Sequence, residues 1–194
     1  MGGITLEDMT AVGALLEGHF KLSSGLHSSR YLQCALYLAD PERAEAAGRQ
    51  LAARLKSAAA QLVMAPALGG VIIGHEVARA LKDVPFYFTE RSEGAMTLRR
   101  GFHFEPGSRV LVVEDVVTTG GSTREVMDVA AACGGVVVGV AAMVNRSGQK
   151  NPFSPLPFTA LLTVEVPTYS PAECPLCAAG IPLAKPGSRP EKKM

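Results

Sequence analysis

The chain lacks an excess of charge of either sign. Its 194 residues include 19 Lys and Arg and 18 Asp and Glu, a formal net charge of +1. This balance gives no reason to expect nucleic acid or an anionic membrane as a partner. Its apolar stretches are short and broken by Gly, which argues against a transmembrane helix. The N-terminus has an early acidic pair and no basic segment, unlike a signal peptide. We therefore expect a soluble, cytoplasmic protein.

Cysteine is scarce, and the four cysteines form no complete metal or redox motif in sequence. Cys174 and Cys177 make a single C-x-x-C in a proline-rich tail. Zinc would need two further ligands, and neither a second C-x-x-C nor a His pair lies nearby in sequence. A thioredoxin-like motif would begin a helix after a strand. We therefore favour a reduced structural pair, with metal or redox chemistry as alternatives. Cys133, in A-A-A-C-G-G, is expected at a buried helix end.

Strand-like and helix-like segments alternate along the chain. Helices are expected over residues 4–17, 41–60, 70–81 and 122–133, and strands over 61–65, 85–89, 110–113, 136–144 and 158–166. Residues 18–38 are expected to form short strands and turns. This alternation predicts one α/β domain with a doubly wound, mostly parallel sheet flanked by helices. We expect a core over about 41–166. Residues 1–40 and the Pro-rich tail 167–194, whose end we expect to be mobile, would form a small hood.

The most informative segment is V-L-V-V-E-D-V-V-T-T-G-G-S-T, residues 110–123. A buried strand should end just before Glu114 and Asp115, and a turn then opens a helix. The N–H groups of such a turn attract a phosphate, and Gly120 and Gly121 let the backbone approach it closely. The two carboxylates could accept hydrogen bonds from sugar hydroxyls. No G-K-[ST] follows and G-x-G-x-x-G is absent, which argues against P-loop and dinucleotide sites. The alternative is an ordinary strand–turn–helix connection.

This segment resembles the phosphoribosyl-diphosphate (PRPP) motif of type I phosphoribosyltransferases. The resemblance implies that Glu114 and Asp115 bind the ribose hydroxyls. It also implies that Mg²⁺ is the cofactor and arrives with PRPP rather than on direct protein ligands. Thr118 would also touch the acceptor base. The resemblance assigns the cradle of the 5-phosphate to Val116, Val117, Thr118, Thr119, Gly120, Gly121 and Ser122.

Two further loops should lie at the same edge of the sheet, because ligands bind beyond the carboxyl ends of parallel strands. Gly69 and Gly70 precede a helix, and the resemblance implies that they hold the diphosphate; some family members carry a lysine in place of Gly69. The segment T-E-R-S-E-G-A-M-T-L-R-R-G-F, residues 89–102, has the glycines and arginines of a mobile lid. We call it the lid segment.

The resemblance implies a homodimer in which the lid segment reaches into the neighbouring subunit's site. Arg91 matches a catalytic, PRPP-binding arginine, whereas Ala95 stands where other members have a lysine. Arg99 and Arg100 could supply positive charge instead. The alternative is an exposed basic hairpin without a catalytic role.

The acceptor is indicated by two other features. Arg146 follows a buried strand, and its planar fork suits a carboxylate; the alternative is an ion pair with a surface acid. The stretch G-H-F-K-L-S-S-G-L-H-S-S-R-Y-L-Q, residues 18–33, resembles the start of orotate phosphoribosyltransferases. By that resemblance Tyr31 and Leu32 frame the pyrimidine. The lid segment and the C-P-L-C tail resemble one bacterial branch of that family.

The resemblance therefore implies transfer of phosphoribose from PRPP to orotate, giving orotidine 5′-monophosphate and diphosphate in pyrimidine synthesis. Glu114, Asp115 and Arg91 would be the catalytic residues. One alternative is a purine phosphoribosyltransferase, which would not need an arginine for a carboxylate. The other is a PRPP-sensing regulator without catalysis. A DNA-binding regulator would usually carry a basic domain, and the near-zero net charge gives no reason to expect one here.

Overall fold

Two sheets organise the fold. The computed structural model describes residues 3–22 and 24–186. The strands are β1 (Leu15–Lys21), β2 (His27–Leu32), β3 (Leu62–Pro66), β4 (Phe86–Ser92), β5 (Ala95–Leu98), β6 (Arg109–Val117), β7 (Val136–Asn145), β8 (Phe158–Thr163) and β9 (Thr168–Tyr169). The helices are α1 (Leu6–Ala11), α2 (Cys34–Leu38), α3 (Pro41–Arg54), α4 (Gly69–Leu81), α5 (Gly121–Ala132) and α6 (Pro175–Ala178).

The larger sheet has six strands in the order β5-β4-β3-β6-β7-β8. All neighbouring pairs are parallel except β4 and β5, which form an antiparallel hairpin. This confirms the predicted mostly parallel sheet. The order reverses between β3 and β6, so the loops after these two strands diverge and leave a crevice, where ligands bind in open α/β sheets.

Helices cover both faces of this sheet, as alternating side chains of β6 demonstrate. Leu111 and Val113 are fully buried in a cluster that includes residues of α3 and α4. Val110 and Val112 are fully buried in a second cluster with residues of α5. Burial on both faces explains why this strand is a continuous apolar run rather than an alternating one.

Helix α3 follows its sequence pattern closely. The Asp40 side chain accepts hydrogen bonds from the N–H groups of Glu42 and Arg43, and Pro41 occupies the first turn, the usual arrangement of a helix start. The predicted apolar stripe is confirmed, because its four members are all buried: Ala44, Ala47, Leu51 and Leu55. The helix ends at Arg54 rather than near residue 60.

The prediction of one helix over residues 4–17 was wrong in its length. Thr5 caps α1 as expected, in a reciprocal capping box with Asp8. The helix ends at Ala11, and Gly13 adopts φ +70°, a conformation that favours glycine. The chain then enters β1 at Leu15. Helix α2 also lies in a region where we expected only strands and turns.

Strand β6 continues beyond its apolar run, so Glu114 and Asp115 lie within the strand and not after it. Its pairing with β7 extends to Val117, opposite Asn145, which holds the acidic segment extended. Strand β8 is shorter than predicted and ends at Thr163. Cys133 lies at the end of α5 as expected, but it is exposed rather than buried.

The smaller sheet joins the two ends of the described chain. It is antiparallel, with the order β1-β2-β9, and β9 belongs to the Pro-rich tail. Ala184 adds a bridge to Phe20 on β1. Most of the tail's expected mobile end, residues 187–194, lies outside the described residues. Within the described ranges no helix is both long and apolar enough to cross a membrane.

Candidate active site

An acidic pair lies at the carboxyl end of β6. Glu114 is buried, with only 6% of its surface exposed, and Asp115 is half-buried. Glu114 Oε1 accepts a hydrogen bond from the Asp115 N–H at 3.1 Å, and Asp115 Oδ1 accepts one from the Val116 N–H at 2.8 Å. Burial raises the pKa of Glu114 to about 9, and the negative charge of Asp115 adds to the increase. Glu114 is therefore uncharged at neutral pH in the free protein.

The turn after β6 forms a small pocket at the N-terminus of α5. Gly120 is the N-cap residue and adopts φ +75°, which turns the chain into the helix. Thr118 and Thr119 are exposed, whereas the Val117 side chain is buried, so Val117 can offer only backbone groups to a ligand. Free N–H groups and the helix dipole favour an anion here. The pocket is lined by Glu114, Val116, Thr118, Thr119, Gly120, Gly121, Ser122 and Thr123.

Arg124 holds this turn in place, a role that sequence reasoning missed. Its guanidinium donates to the carbonyls of Thr119 and Pro152, both at 2.7 Å, and lies over the Phe153 ring at 5.3 Å. A Cβ added at Gly120 would lie 2.9 Å from Arg124 Nη1 and 3.0 Å from the Phe153 ring. Nothing in the local sequence distinguishes Arg124 from an ordinary exposed helix residue, because its partner Pro152 lies 28 residues away.

The loop after β3 meets the acidic pair. A Cβ added at Gly69 would lie 2.6 Å from both carboxylate oxygens of Asp115, so the Gly69 backbone is packed directly against that carboxylate. A Cβ added at Gly70 would lie 3.0 Å from Ala65 Cβ and 3.1 Å from the Val113 carbonyl oxygen. Gly69 and Gly70 do not precede the helix as expected but are the first residues of α4, so the structure brings the N-terminus of this helix and the acidic pair together.

Arg146 lies on the other side of the same edge, just after β7. Its N–H donates to the Val117 carbonyl at 2.8 Å, which ties it to the end of β6. Its guanidinium is half-buried and, within the described part of the chain, forms no ion pair or hydrogen bond. Burial lowers the pKa of Arg146, but a guanidinium remains charged at neutral pH. The alternative interpretation, an ion pair with a surface acid, thus finds no support among the described residues.

Asn145 shapes the turn that carries Arg146, and sequence reasoning missed it as well. It is buried, and its amide group donates to the Gln149 carbonyl at 2.8 Å. Its side-chain oxygen accepts hydrogen bonds from the N–H and hydroxyl of Ser147, at 3.0 and 2.7 Å. These bonds fix the N-R-S-G turn, which limits where Arg146 can point.

Comparison with known proteins assigns this arrangement to a family. The family model of the phosphoribosyl transferase domain matches residues 37–155. The orotate phosphoribosyltransferase of Carboxydothermus hydrogenoformans is 60% identical over 178 residues, which cover 91% of this chain and 92% of the relative. That of Thermotoga maritima is 51% identical over 183 residues, covering 94% and 97%. The chain belongs to the orotate phosphoribosyltransferase family.

Solved structures establish the fold independently. The orotate phosphoribosyltransferase of Mycobacterium tuberculosis superposes with a TM-score of 0.68 at 23% identity, covering 81% of this chain and 95% of that one. The adenine phosphoribosyltransferase of Thermoanaerobacter pseudethanolicus gives 0.59 at 18% identity, covering 70% and 88%. The fold is therefore shared with a purine enzyme and does not identify the acceptor base. The assignment to the orotate phosphoribosyltransferase family rests on sequence identity.

The lid segment of this orotate phosphoribosyltransferase family member is an antiparallel hairpin of β4 and β5. Arg91 on β4 forms an ion pair with Glu125 on α5 and donates to the Gly94 carbonyl at 2.9 Å. Arg99 and Arg100 both pair with Glu90, at 3.2 and 2.8 Å. The segment thus has the form of the basic hairpin that we considered as an alternative. Each of its arginines forms an ion pair within the same chain.

The predicted pyrimidine-framing residues lie on β2, in the smaller sheet. The Leu32 side chain is buried in the core, so only its backbone could face a ligand, whereas half-buried Tyr31 packs against Phe20 with ring centroids 5.9 Å apart. Cys34, two residues further on, is close enough to the acidic pair for both carboxylates to add to the burial that raises its thiol pKa. The end of β2 therefore approaches the candidate site from the hood side.

Proposed function

We propose that this protein transfers the 5-phosphoribosyl group of PRPP to orotate, giving orotidine 5′-monophosphate and diphosphate, a step of pyrimidine nucleotide synthesis in the cytoplasm. The observation that carries the proposal is the half-buried guanidinium of Arg146, which has no side-chain partner among residues 3–22 and 24–186 and lies beside the anion pocket and the acidic pair. A purine acceptor has no carboxylate for such a group. The names of the sequence relatives support the same acceptor.

We assign the two phosphate-bearing ends of PRPP to the two glycine turns. The turn over residues 116–122, with Gly120 and the N-terminus of α5, would hold the 5-phosphate through backbone N–H groups. Gly69 and Gly70 would hold the diphosphate in the same way at the N-terminus of α4. The close approach of Gly69 to Asp115 supports a single ligand that spans both turns.

The acidic pair would hold the ribose between these turns. Its two members differ electrostatically, because burial keeps Glu114 protonated while Asp115 is more accessible. A protonated carboxyl can donate one hydrogen bond and accept others, so Glu114 can pair with a hydroxyl oxygen. Asp115 would accept hydrogen bonds from the hydroxyls and place negative charge near the sugar.

The reaction needs no nucleophilic side chain. The bond from ribose C1 to the diphosphate oxygen breaks with its electron pair leaving on the diphosphate. A ring nitrogen of orotate releases its proton to solvent and forms the new bond to C1. The sugar passes through a cation-like state, as in glycoside chemistry. Rate enhancement would come from positioning and from neutralising the leaving diphosphate. Arg91 is the proposed source of positive charge, and it would have to exchange Glu125 for the diphosphate.

Mg²⁺ is the proposed cofactor. The carboxylate oxygens of Asp115 and the phosphate oxygens of the donor are the hard ligands that this ion prefers. Bound with PRPP, it would supply further neutralisation of the diphosphate. Because Glu114 is protonated and buried, we expect the metal to arrive on the substrate and to retain several waters, rather than to bind the free protein tightly.

Orotate would bind between Arg146 and the end of β2. The guanidinium would pair with the carboxylate through two parallel hydrogen bonds. Thr118, Tyr31 and the Leu32 backbone would contact the pyrimidine ring from the other sides. The buried Asn145 would keep Arg146 aimed at the site by fixing its turn.

A substrate panel tests the proposed reaction. Orotate absorbance is followed with PRPP and Mg²⁺, and adenine, hypoxanthine and uracil are tried in parallel. We expect orotate to be consumed far faster than the other bases, and only when both PRPP and Mg²⁺ are present. Consumption of a purine would favour the purine enzyme, and PRPP binding without turnover would favour the regulator.

We also propose that the protein is a homodimer whose lid segments serve the neighbouring subunits' sites. Mixing two impaired variants tests this. Arg91→Gln removes the lid charge, and Asp115→Asn impairs the ribose site. If lids are shared, a mixed dimer contains one site with an intact lid and an intact ribose site, and activity returns on mixing. If each lid serves its own subunit, mixing restores nothing.

A further inference from the structure

Four metal-ligating side chains that the proposed reaction does not use converge in the hood. His19 lies on β1, His27 on β2, and Cys174 and Cys177 in the tail. One ligand atom from each lies within 4.8 Å of all the others. We propose that this cluster is a structural zinc site that fastens the tail of the chain to its N-terminal sheet.

The distances fit a tetrahedral zinc ion. Zn–N bonds of about 2.0 Å and Zn–S bonds of about 2.3 Å place the ligand atoms of a tetrahedron roughly 3.3 to 3.8 Å apart. Cys177 Sγ lies 3.3 Å from His27 Nδ1 and 3.7 Å from His19 Nε2, and Cys174 Sγ lies 3.5 Å from His19 Nε2. The two imidazole nitrogens are 2.9 Å apart. The two remaining pairs, Cys174 with His27 and Cys174 with Cys177, lie within 4.8 Å. Completing the tetrahedron therefore requires shifts of a few tenths of an ångström for the histidines and up to about 1 Å for Cys174 Sγ.

The environment of His19 prepares it as a ligand. Its Nδ1 is 2.7 Å from the Ile181 carbonyl oxygen. A carbonyl only accepts, so Nδ1 carries the proton and Nε2 presents its lone pair to the cluster. A backbone carbonyl that fixes the tautomer in this way is the usual outer partner of a metal-bound histidine. His19, His27 and Cys174 are each no more than 5% exposed.

The ligand set also indicates which metal and which role. Two thiolates and two imidazoles suit zinc, in contrast to the oxygen ligands of Mg²⁺. Four protein ligands leave no open position for water or substrate, which is typical of a structural site and not of a catalytic one. The site is thus chemically distinct from the phosphoribosyl transfer site.

Backbone pairing beside the cluster explains what the metal would hold. Ala184 exchanges hydrogen bonds with β1, accepting from the Lys21 N–H and donating to the His19 carbonyl, both at 2.8 Å. Strand β9 pairs with β2 over only two residues. Such short pairing is weak by itself. A metal bonded to His19 on β1, to His27 on β2 and to the two tail cysteines would hold this small sheet together. Tyr31, which lies on β2, would be held in place with it.

The expectation of a reduced cysteine pair without metal rested on the lack of nearby ligands in sequence. The structure supplies them from the opposite end of the chain: His19 is 155 residues from Cys174. The pairing of β1 with β2 brings His19 and His27 together, and α6 turns Cys177 toward both.

Metal analysis of the full-length protein, purified without a polyhistidine tag, tests the proposal. We expect about one zinc per chain, retained in excess Mg²⁺. Cobalt substitution should produce thiolate-to-cobalt charge-transfer bands and the visible bands of tetrahedral Co²⁺. The double variant Cys174→Ser/Cys177→Ser should lose both the bound zinc and the cobalt absorption bands. Cys133→Ser, which changes an exposed cysteine outside the cluster, should keep them.

A second pair of variants separates ligation from folding. His27→Gln should lower bound zinc, whereas His75→Gln on α4 should not. Removing the metal from the wild-type protein by chelation should lower its Tm, and adding zinc should restore it. If fully reduced wild-type protein binds neither zinc nor cobalt, or binds them no better than the double-cysteine variant, the proposal is wrong. The number of zinc ions bound per wild-type chain tests the proposal even if a variant fails to fold.

Discussion

Replacing Arg146 by Gln should weaken orotate use without weakening the fold. In most proteins an inward-facing arginine is paired, and removing it breaks that pair. Here the guanidinium is half-buried and, among the described residues, makes no hydrogen bond or ion pair. Its desolvation is therefore uncompensated in the free protein, so Arg146→Gln should leave the free energy of unfolding unchanged or slightly raise it.

The size of the kinetic effect follows from the interaction that is lost. A hydrogen bond to a charged group contributes about 1.5 to 3 kcal/mol, and a tenfold change corresponds to about 1.4 kcal/mol. We therefore expect kcat/KM for orotate to fall by roughly 10- to 150-fold. The KM for PRPP should change little, because the Arg146 side chain is assigned to the acceptor and not to PRPP. Steady-state kinetics measured by orotate absorbance distinguish the effect on orotate from the effect on PRPP. One substrate is varied while the other is kept at a saturating concentration.

An acceptor without the carboxylate provides the sharpest control. With uracil, the wild-type protein and Arg146→Gln should be equally slow, because neither can form the lost contact. Arg49→Gln is a matched control, since Arg49 is exposed on α3 and pairs with Glu45 at 2.7 Å. A loss that falls equally on orotate and uracil, or a clear drop in Tm, would refute the assignment of Arg146 to the carboxylate.

Three further predictions concern the donor side. Asp115→Asn should lower kcat by roughly 10- to 150-fold with little change in Tm, because it removes charged hydrogen bonds to the ribose; near-normal turnover would contradict the assigned role. Gly120→Ala should destabilise the protein by at least about 1 to 2 kcal/mol, since φ is +75° and Phe153 leaves no room for a methyl group; urea unfolding measures this, and an unchanged midpoint would count against it. Glu114 is protonated in the folded state up to about pH 9, but only up to its ordinary pKa of 4.5 when unfolded. Between those values the folded state holds more protons, so stability should fall as pH rises, by at most about 1.4 kcal/mol per unit. Urea unfolding from pH 6 to 8 should give a smaller slope for Glu114→Gln but not for Glu165→Gln, which changes an exposed residue.

The parts of the fold that local sequence determines were predicted well. Apolar runs such as residues 110–113 mark strands buried on both faces, and the Asp40–Pro41 start of α3 is encoded in adjacent residues. The C-terminal boundary of β6 was not predicted correctly. Charged residues remain in the strand when a neighbouring strand pairs with them. Glu114 is opposite Ala142 in β7, and this pairing depends on residues almost 30 positions away.

The candidate site was predictable where a motif is contiguous and not where it is assembled by the fold. Residues 114–122 are contiguous in the sequence, and the structure places them together at one edge of the sheet. Arg124 was missed because its role depends on a carbonyl group in a distant loop. Asn145 was missed because an asparagine at the end of a strand does not reveal in sequence that its amide group is buried and hydrogen-bonded. The histidine partners of Cys174 were missed for the same reason: strand pairing, not spacing along the chain, brings them together.

The contact of Gly69 with Asp115 has an evolutionary consequence. Any side chain at position 69 would collide with the carboxylate, which is itself held by the Val116 N–H. A change from glycine to lysine at this position therefore requires the aspartate to rotate first or at the same time. The lysine-bearing form of this loop must therefore hold the aspartate carboxylate in a different orientation from the one seen here.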